Sequence, residues 1–182
     1  THMHAQIEQG SPNIPGFPDG SAGTGRIQIE STGDLNHIES FSFLGYSGGY
    51  HKHDSQLLDL GFGSTSDFGS SGDLTDSAVV VHYDGSRALA DIYKDAIDGN
   101  AAVLMIYQEG VEEPPFRTVT VEEDGINVPF PEAYGGQYSD LLIPFLHISE
   151  STAGIFIDYV DEAAGDSTKY AILDGNWEAV KT

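Results

Sequence analysis

Cysteine is absent from the chain, and basic residues and long apolar stretches are scarce. Without cysteine, neither disulfide bonds nor thiolate chemistry can contribute to stability or catalysis. No stretch approaches the ~18 consecutive apolar residues of a membrane-spanning helix. What the 182 residues do contain is 22 glycines and nine each of tyrosine and phenylalanine. This composition is typical of a turn-rich β protein with one domain and a core of its own.

The charge of the chain is strongly negative. Against 29 acidic residues stand only seven lysines and arginines, which gives a net charge of −22 at pH 7. Nucleic acids and anionic membrane surfaces are bound through clustered basic residues, so we expect neither as a partner. The acidity favours solubility in a salty or extracellular medium, and divalent cations that bridge acidic surfaces are the alternative interpretation.

The first residues and the composition together suggest export. The chain opens with THMH and shows no charged segment followed by an apolar one. Either a signal peptide has been removed, or Thr1–His4 is an added remnant. Because acidic, cysteine-free chains suit an external medium, we expect a secreted or extracellular protein with a processed N-terminus.

Segments with β character recur along the chain at short intervals. They alternate apolar and polar residues or form short apolar runs, both of which are typical of strands. Two of them, Ser77–Asp84 and Ala101–Gln108, are apolar enough to be covered on both faces. The nine predicted strands are His4–Gln9, Gly25–Ser31, His37–Gly45, Ser77–Asp84, Ala101–Gln108, Phe116–Asp124, Asp140–Ser149, Ala153–Asp161 and Thr168–Gly175.

One amphipathic helix is predicted, over about residues 86–98. Asp84 or Ser86 would cap it, and Gly99 would end it in a left-handed conformation. Its apolar face comprises Leu89, Ile92, Tyr93, Ala96 and Ile97. A single helix cannot supply the crossovers of a parallel sheet, so we expect a mainly β fold, an antiparallel β-barrel or sandwich with one flanking helix. Residues 1–24 would form an N-terminal extension with a first strand, and residues 25–182 a single barrel domain.

A long glycine- and serine-rich stretch, residues 46–76, is predicted to be a protruding loop. Loops of this length are uncommon unless they are functional or disordered. This loop nevertheless carries five large apolar side chains, which a solvated linker would not need: Leu57, Leu58, Leu60, Phe62 and Phe68. They would be buried either by a neighbouring subunit, as an assembly loop, or by the loop folding back on its own barrel.

Sites of chemistry are hard to find in the sequence. His51, His53 and Asp54 lie in a His-x-His-Asp pattern that could supply two or three metal ligands, but a polar loop explains them as well. His147 lies in an apolar strand and is interpreted as a hydrogen-bonded core histidine. Neither a nucleophile elbow nor a phosphate-binding loop is present, and the acidic clusters lack the spacing of a helix–loop–helix calcium site. We therefore predict no enzymatic activity and no cofactor, with a divalent cation such as calcium as the alternative.

Several stretches, in their order, resemble the haemolysin-coregulated protein (Hcp) family, the inner-tube subunits of type VI secretion systems, whose fold is shared with phage tail-tube proteins. HIESFSFLG is similar to an early strand of that family, residues 46–73 to its long loop, and VVVHYDGSRALADIYKDAIDG to its strand and helix. AAVLMIYQEG, PFRTVTVEEDGINV and STKYAILDGNWEAV follow in the same order.

The resemblance implies a structural protein. Its subunits would assemble into rings stacked as a tube or filament, with the loop packing on the next ring. The partners would be copies of itself and, in a secretion system, effector or cap proteins. The alternatives are a phage tail-tube protein and a secreted acidic metal-binding β protein.

Overall fold

The computed structural model of the protein describes residues 2–9, 24–31, 37–44, 47–48, 55–115, 117–164 and 170–175. Strands and helices alternate through much of this part of the chain. The strands are β1 His2–Gln9, β2 Thr24–Ser31, β3 His37–Phe43, β4 Ser55–Asp59, β5 Ser77–His82, β6 Val103–Tyr107, β7 Thr120–Glu123, β8 Ile126–Pro129, β9 Phe145–Ile148 and β10 Tyr170–Gly175. The helices are α1 Thr65–Ser71, α2 Leu89–Asp98, α3 Phe130–Ala133 and α4 Glu150–Ala164.

Eight strands form one closed sheet in the order β1-β10-β4-β5-β6-β9-β3-β2. Within it, β4, β5, β6 and β9 are parallel neighbours. Strands β1, β2 and β3 pair antiparallel with one another, and β1 pairs parallel with β10, so the first strand is part of the same sheet. β7 and β8 form a separate hairpin.

The prediction of an antiparallel barrel or sandwich with one flanking helix is wrong. The four parallel strands need crossover connections, and helices lie in these connections: α1 between β4 and β5, and α2 between β5 and β6. The chain therefore has an α/β fold with a mixed sheet. The sequence interpretation missed this because two of the helices were read as a loop and as a strand.

The parallel strands are apolar because both of their faces are covered. Residues 78–81 of β5 and 103–106 of β6 have no exposed surface, which confirms the expectation for these two segments. On one face, Val80 and Met105 pack with Phe156 of α4. On the other face, Val79 and Leu104 pack with α2 and α1.

Helix α2 confirms the predicted amphipathic helix, although its ends differ. It begins at Leu89, and its N-cap residue, Ala88, makes no side-chain cap. Asp84 instead accepts a hydrogen bond from the backbone N–H of Ser86, at 2.9 Å, in the preceding turn. The left-handed residue after the helix is Asn100, with φ 64°, and Gly99 is not left-handed. Gly99 is required for space, since a Cβ there would lie 2.9 Å from Leu74.

The segment predicted as a strand over Ala153–Asp161 is helical and belongs to α4. Ala153 and Phe156 are buried in the core, and Ile155, Tyr159 and Val160 pack against it, which is a helical spacing. Ser149 starts the helix, because its Oγ accepts a hydrogen bond from the backbone N–H of Thr152 at 3.1 Å. No helix in the described part of the chain is long and apolar enough to cross a bilayer.

The predicted protruding loop is also corrected over its described part. Residues 55–59 form β4 inside the sheet, and residues 65–71 form α1. Ser64 and Asp67 make a reciprocal capping box at the start of α1, which the sequence pattern S-x-x-D contains. Three of the apolar side chains of this stretch, Leu57, Leu60 and Phe68, belong to the core of the chain.

Candidate functional site

Three aromatic rings stack where the parallel strands β4, β5 and β6 end. The ring of Phe62 lies 4.9 Å from that of His82, with an angle of 24° between their planes. The ring of His82 lies 4.7 Å from that of Tyr107, at 15°. Phe62 is 51% exposed, whereas His82 and Tyr107 are partly buried. We call Phe62, His82 and Tyr107 the aromatic stack, and the carboxyl ends of β4, β5 and β6 the carboxyl edge.

The strand register brings His82 and Tyr107 together. They are the last residues of neighbouring parallel strands and lie directly opposite each other. Because side chains alternate between the faces of a sheet, both rings project from the face that carries Val80 and Met105 two residues earlier. The stack therefore extends the row of buried residues on that face until it reaches solvent.

Two glycines position Phe62. Gly61 and Gly63 have φ values of 59° and 63°, a conformation that side chains rarely adopt. A Cβ on Gly63 would lie 2.8 Å from a methyl group of Val81, so this turn packs directly on β5. The carbonyl of Gly61 accepts the backbone N–H of His82 at 2.7 Å. Phe62 is thus held beside His82 by backbone geometry.

Carboxylates surround the aromatic stack. Asp59 ends β4, Asp84 follows β5 by two residues, and Glu150 begins α4 after β9. Burial raises the pKa of Tyr107, and the negative charges of Asp59 and Glu150 raise it further. Hydrogen bonds from Ser86 lower the pKa of Asp84, and His82 acts in the same direction. Tyr107 is therefore a neutral hydroxyl and Asp84 a carboxylate at neutral pH.

Basic side chains do not neutralise these acids in the part of the chain that the structure describes. The ion pairs found there join Arg87 to Asp95 and Lys94 to Asp98, both on α2 or just before it. Arg117 donates instead to the side-chain oxygen of Gln108 at 3.1 Å. The carboxyl edge consequently combines exposed aromatic surface with uncompensated negative charge.

His147 is a second unusual group, remote from solvent. It lies in β9 with no exposed surface, as expected for a core histidine. The expected hydrogen bond is at best weak: within the described residues no well-aligned partner reaches either ring nitrogen, although the backbone at Pro115 lies near the ring. Burial, and next the charge of Arg117, lower the pKa of His147 to about 4, whereas the backbone at Pro115 acts in the opposite direction. The ring is therefore neutral at physiological pH.

The residues predicted to form the assembly loop do not act as one group. Leu57, Leu60 and Phe68 are buried in the core of the chain, and Leu58 packs against it. Phe62 alone of the five is exposed, in the aromatic stack. His51, His53 and Asp54 lie outside the described residues.

The sequence patterns did not single out His82 and Tyr107 as candidate site residues. The signal was nevertheless present, since an aromatic or imidazole ring ends each of the two most apolar strands and Phe62 stands between two glycines. The sequence patterns did not predict the parallel pairing of β4, β5 and β6, which puts these ends side by side.

Known proteins are similar to this chain in fold but not detectably in sequence family. No family model matches the chain, and no curated protein matches it by sequence. Among solved structures, an aminopeptidase from Aneurinibacillus sp. strain AM-1 is similar over 91% of this chain and 32% of its own, with 15% identity and a TM-score of 0.53. A zinc aminopeptidase from Bacillus subtilis is similar over 85% of this chain and 30% of its own, with 11% identity and a TM-score of 0.51. The fold resembles part of these enzymes. The chain spans about a third of the length of each.

This similarity overturns the resemblance to the Hcp family and the structural-tube function that it implied. The parallel strands of this chain and its similarity to part of two aminopeptidases do not support a tube subunit, a tail-tube protein or an acidic metal-binding β protein. The comparison also contradicts the prediction of no enzymatic activity, because the similar solved structures are those of an aminopeptidase and of a zinc aminopeptidase. The stretches that carried the resemblance are general patterns of strand, turn and helix.

Zinc does not fit the residues that the structure describes. A zinc site needs three or four converging histidine, cysteine, aspartate or glutamate ligands. No group of three or more such residues that could hold a metal ion occurs in the described ranges. We therefore assign no chemical step to a metal at these residues.

Proposed function

We propose that the chain is part of a peptidase-like protein, in which the carboxyl edge binds polypeptide. The observation that carries the proposal is the exposed aromatic stack, at the carboxyl ends of parallel strands, in a fold otherwise seen in aminopeptidases. Association with copies of itself, and export from the cell, stay predictions.

The location supports binding on general grounds. In folds built on parallel strands, open or closed, binding sites lie characteristically at the carboxyl ends of those strands. Aromatic side chains contribute large contact areas at little conformational cost, and they are enriched at protein interfaces. Phe62, His82 and Tyr107 are ring side chains and lie at the carboxyl ends of parallel strands.

Rigid placement makes the stack suitable for recognition. His82 and Tyr107 belong to strands whose preceding residues are completely buried, and Phe62 is fixed by the turn between Gly61 and Gly63. Side chains that are already ordered lose little entropy when a ligand binds. A polypeptide would meet three fixed rings together with the phenolic hydroxyl of Tyr107, which can donate or accept a hydrogen bond.

Fluorescence anisotropy tests the proposal directly. Fluorescein-labelled unstructured peptides are titrated with the protein, and a labelled, stably folded globular protein serves as the control probe. We expect saturable binding of the unstructured peptides, which the variant Phe62→Ala weakens. Absence of peptide binding up to millimolar protein, or equal binding by the Phe62→Ala variant, would contradict the proposal.

A further inference from the structure

We infer that the carboxyl edge selects polypeptide segments that carry arginine, whose guanidinium stacks on Phe62 and pairs with the neighbouring aspartates. This inference rests on the proposed function, because it names the chemistry of the polypeptide that the same surface binds. It is drawn from the geometry of the aromatic stack and from the charge around it.

The order of the rings leaves one of them available. His82 lies between Phe62 and Tyr107 and is stacked on both sides, so its faces are occupied. Phe62 and Tyr107 are the two end rings. Tyr107 is partly buried against the core, whereas half of the surface of Phe62 is exposed. A planar cation is the group that an open aromatic face attracts best, and guanidinium combines flat stacking with weak hydration.

The charge around Phe62 selects a cation. Asp59 lies three residues before it, and Asp84 follows its stacking partner His82 by two residues. Asp67 also approaches this turn, since its Oδ2 lies 3.9 Å from the position of a Cβ on Gly61. An acidic ligand would be repelled here, and an uncharged apolar ligand would gain nothing from these carboxylates.

The carboxylates retain free hydrogen-bonding capacity. Asp59 uses Oδ1 to accept the backbone N–H of Gly61, and Asp84 uses Oδ1 to accept that of Ser86. In the described part of the chain, Oδ2 of Asp59 accepts no hydrogen bond. The hydrogen bonds to Asp84 come from Ser86, and a carboxylate with about four lone-pair positions can accept a further donor beside them. Arginine presents several N–H donors in one plane and can reach a carboxylate while its face lies on a ring, whereas lysine presents a compact charge.

Three short peptides distinguish selection of arginine from binding of any cation and from binding of any polypeptide. The first is acetyl-Gly-Ala-Arg-Ala-Gly-amide, and the second has citrulline, which is uncharged and of nearly the same shape, in place of arginine. The third is Gly-Ala-Ala-Ala-Gly-amide with a free amino terminus. Each is titrated into the protein and followed by calorimetry or NMR at low and moderate salt.

We expect the arginine peptide to bind about tenfold more tightly than the citrulline peptide, from the strength of a cation on an aromatic face. Phe62→Ala and Asp84→Asn should each remove most of that difference. Leu141→Ala is the matched control, since Leu141 is 53% exposed and precedes β9 at the opposite, amino edge of the parallel strands. Its affinity for the arginine peptide should equal that of the unchanged protein.

Each other outcome overturns the inference in a distinguishable way. Equal binding of the arginine and citrulline peptides, both lost in Phe62→Ala, would contradict arginine selection and leave the proposed polypeptide binding intact. Binding of the free-amine peptide as tightly as the arginine peptide would show that any cation suffices. If none of the peptides bound, both the inference and the proposed function would fail. Unfolding curves of the variants confirm that each is folded.

Discussion

The middles and the carboxyl ends of the same parallel strands differ sharply. In the middle of β5 and β6, every residue from Ala78 to Val81 and from Val103 to Ile106 is completely buried. At their ends, His82 and Tyr107 form an aromatic stack with the half-exposed Phe62. The last fully buried residues, Val81 and Ile106, directly precede His82 and Tyr107, so a single step along the chain separates the packed core from a surface that reaches solvent.

The difference in burial indicates that the strand middles stabilise the fold, whereas the strand ends are available for binding. Burial of the strand middles stabilises the fold and tolerates little change in volume. The strand ends contribute less to stability, so their exposed rings are free to bind. Changes in the two regions should therefore affect different measurements.

The largest expected effect comes from the core. Phe156 of α4 is fully buried against Val80 and Met105. Replacing it with alanine should lower the free energy of unfolding by about 3–5 kcal/mol, because it removes a large apolar side chain and leaves a cavity. Urea unfolding followed by circular dichroism measures this. The control is Leu141→Ala, for which we expect a change within about 0.5 kcal/mol; equal losses in the two variants would abolish the distinction between core and surface.

A pH-dependent effect follows from His147. Its pKa in the folded protein, about 4, lies below the ordinary value of 6.5, so the unfolded chain binds a proton more readily. Its contribution to stability is complete above pH ~6.5 and is lost as the pH falls toward about 4. Between pH 7.5 and pH 4.5 the protein should lose roughly 2–3 kcal/mol more than a His147→Leu variant. The carboxylates titrate in both proteins, so the difference reports His147; identical pH profiles would contradict its placement.

A smaller effect is expected at the start of α4. Ser149 is buried, accepts the backbone N–H of Thr152, and lies 2.8 Å from the hydroxyl of Thr152. Ser149→Ala should cost about 1 kcal/mol, the usual value of an N-cap. Ser151→Ala, at an exposed position of the same helix, is the control and should change little. A loss of similar size in both variants would argue that the cap contributes nothing specific.

The smallest stability effect is expected for Phe62. Because half of its ring is exposed, Phe62→Ala should change the free energy of unfolding by less than about 1 kcal/mol. Its effect on peptide binding should be much larger. A variant that unfolds at markedly lower urea would show instead that Phe62 belongs to the core.

Local patterns in the sequence predicted several elements but not their arrangement. β5, β6 and α2 were recognised because their apolar runs and helical spacing are strong. The pairing of β4, β5 and β6 was missed, because residues 46–76 look like a polar loop and hide β4 and α1. Parallel pairing depends on such crossovers, so one missed helix changes the whole topology.

Residues 153–161 were predicted as a strand, although they belong to helix α4. Ile155, Ile157, Phe156 and Tyr159 favour strands by propensity, and their spacing fits either element. The helix results from the cap at Ser149 and from packing of Ala153 and Phe156 on the sheet, which local propensity does not contain. The site was hidden for a similar reason, since Phe62, His82 and Tyr107 are far apart in sequence. The strand register joins His82 to Tyr107, and the turn after β4 adds Phe62.

The central claim is that the carboxyl edge binds polypeptide, and NMR mapping tests it most directly. Backbone amide shifts are recorded while acetyl-Gly-Ala-Arg-Ala-Gly-amide is added to the ¹⁵N-labelled protein. We predict that the largest changes occur at residues 59–62, 82–84 and 107–109, around the aromatic stack. Changes concentrated at the β7–β8 hairpin or at the amino edge near Leu141, with none around Phe62, would contradict the account.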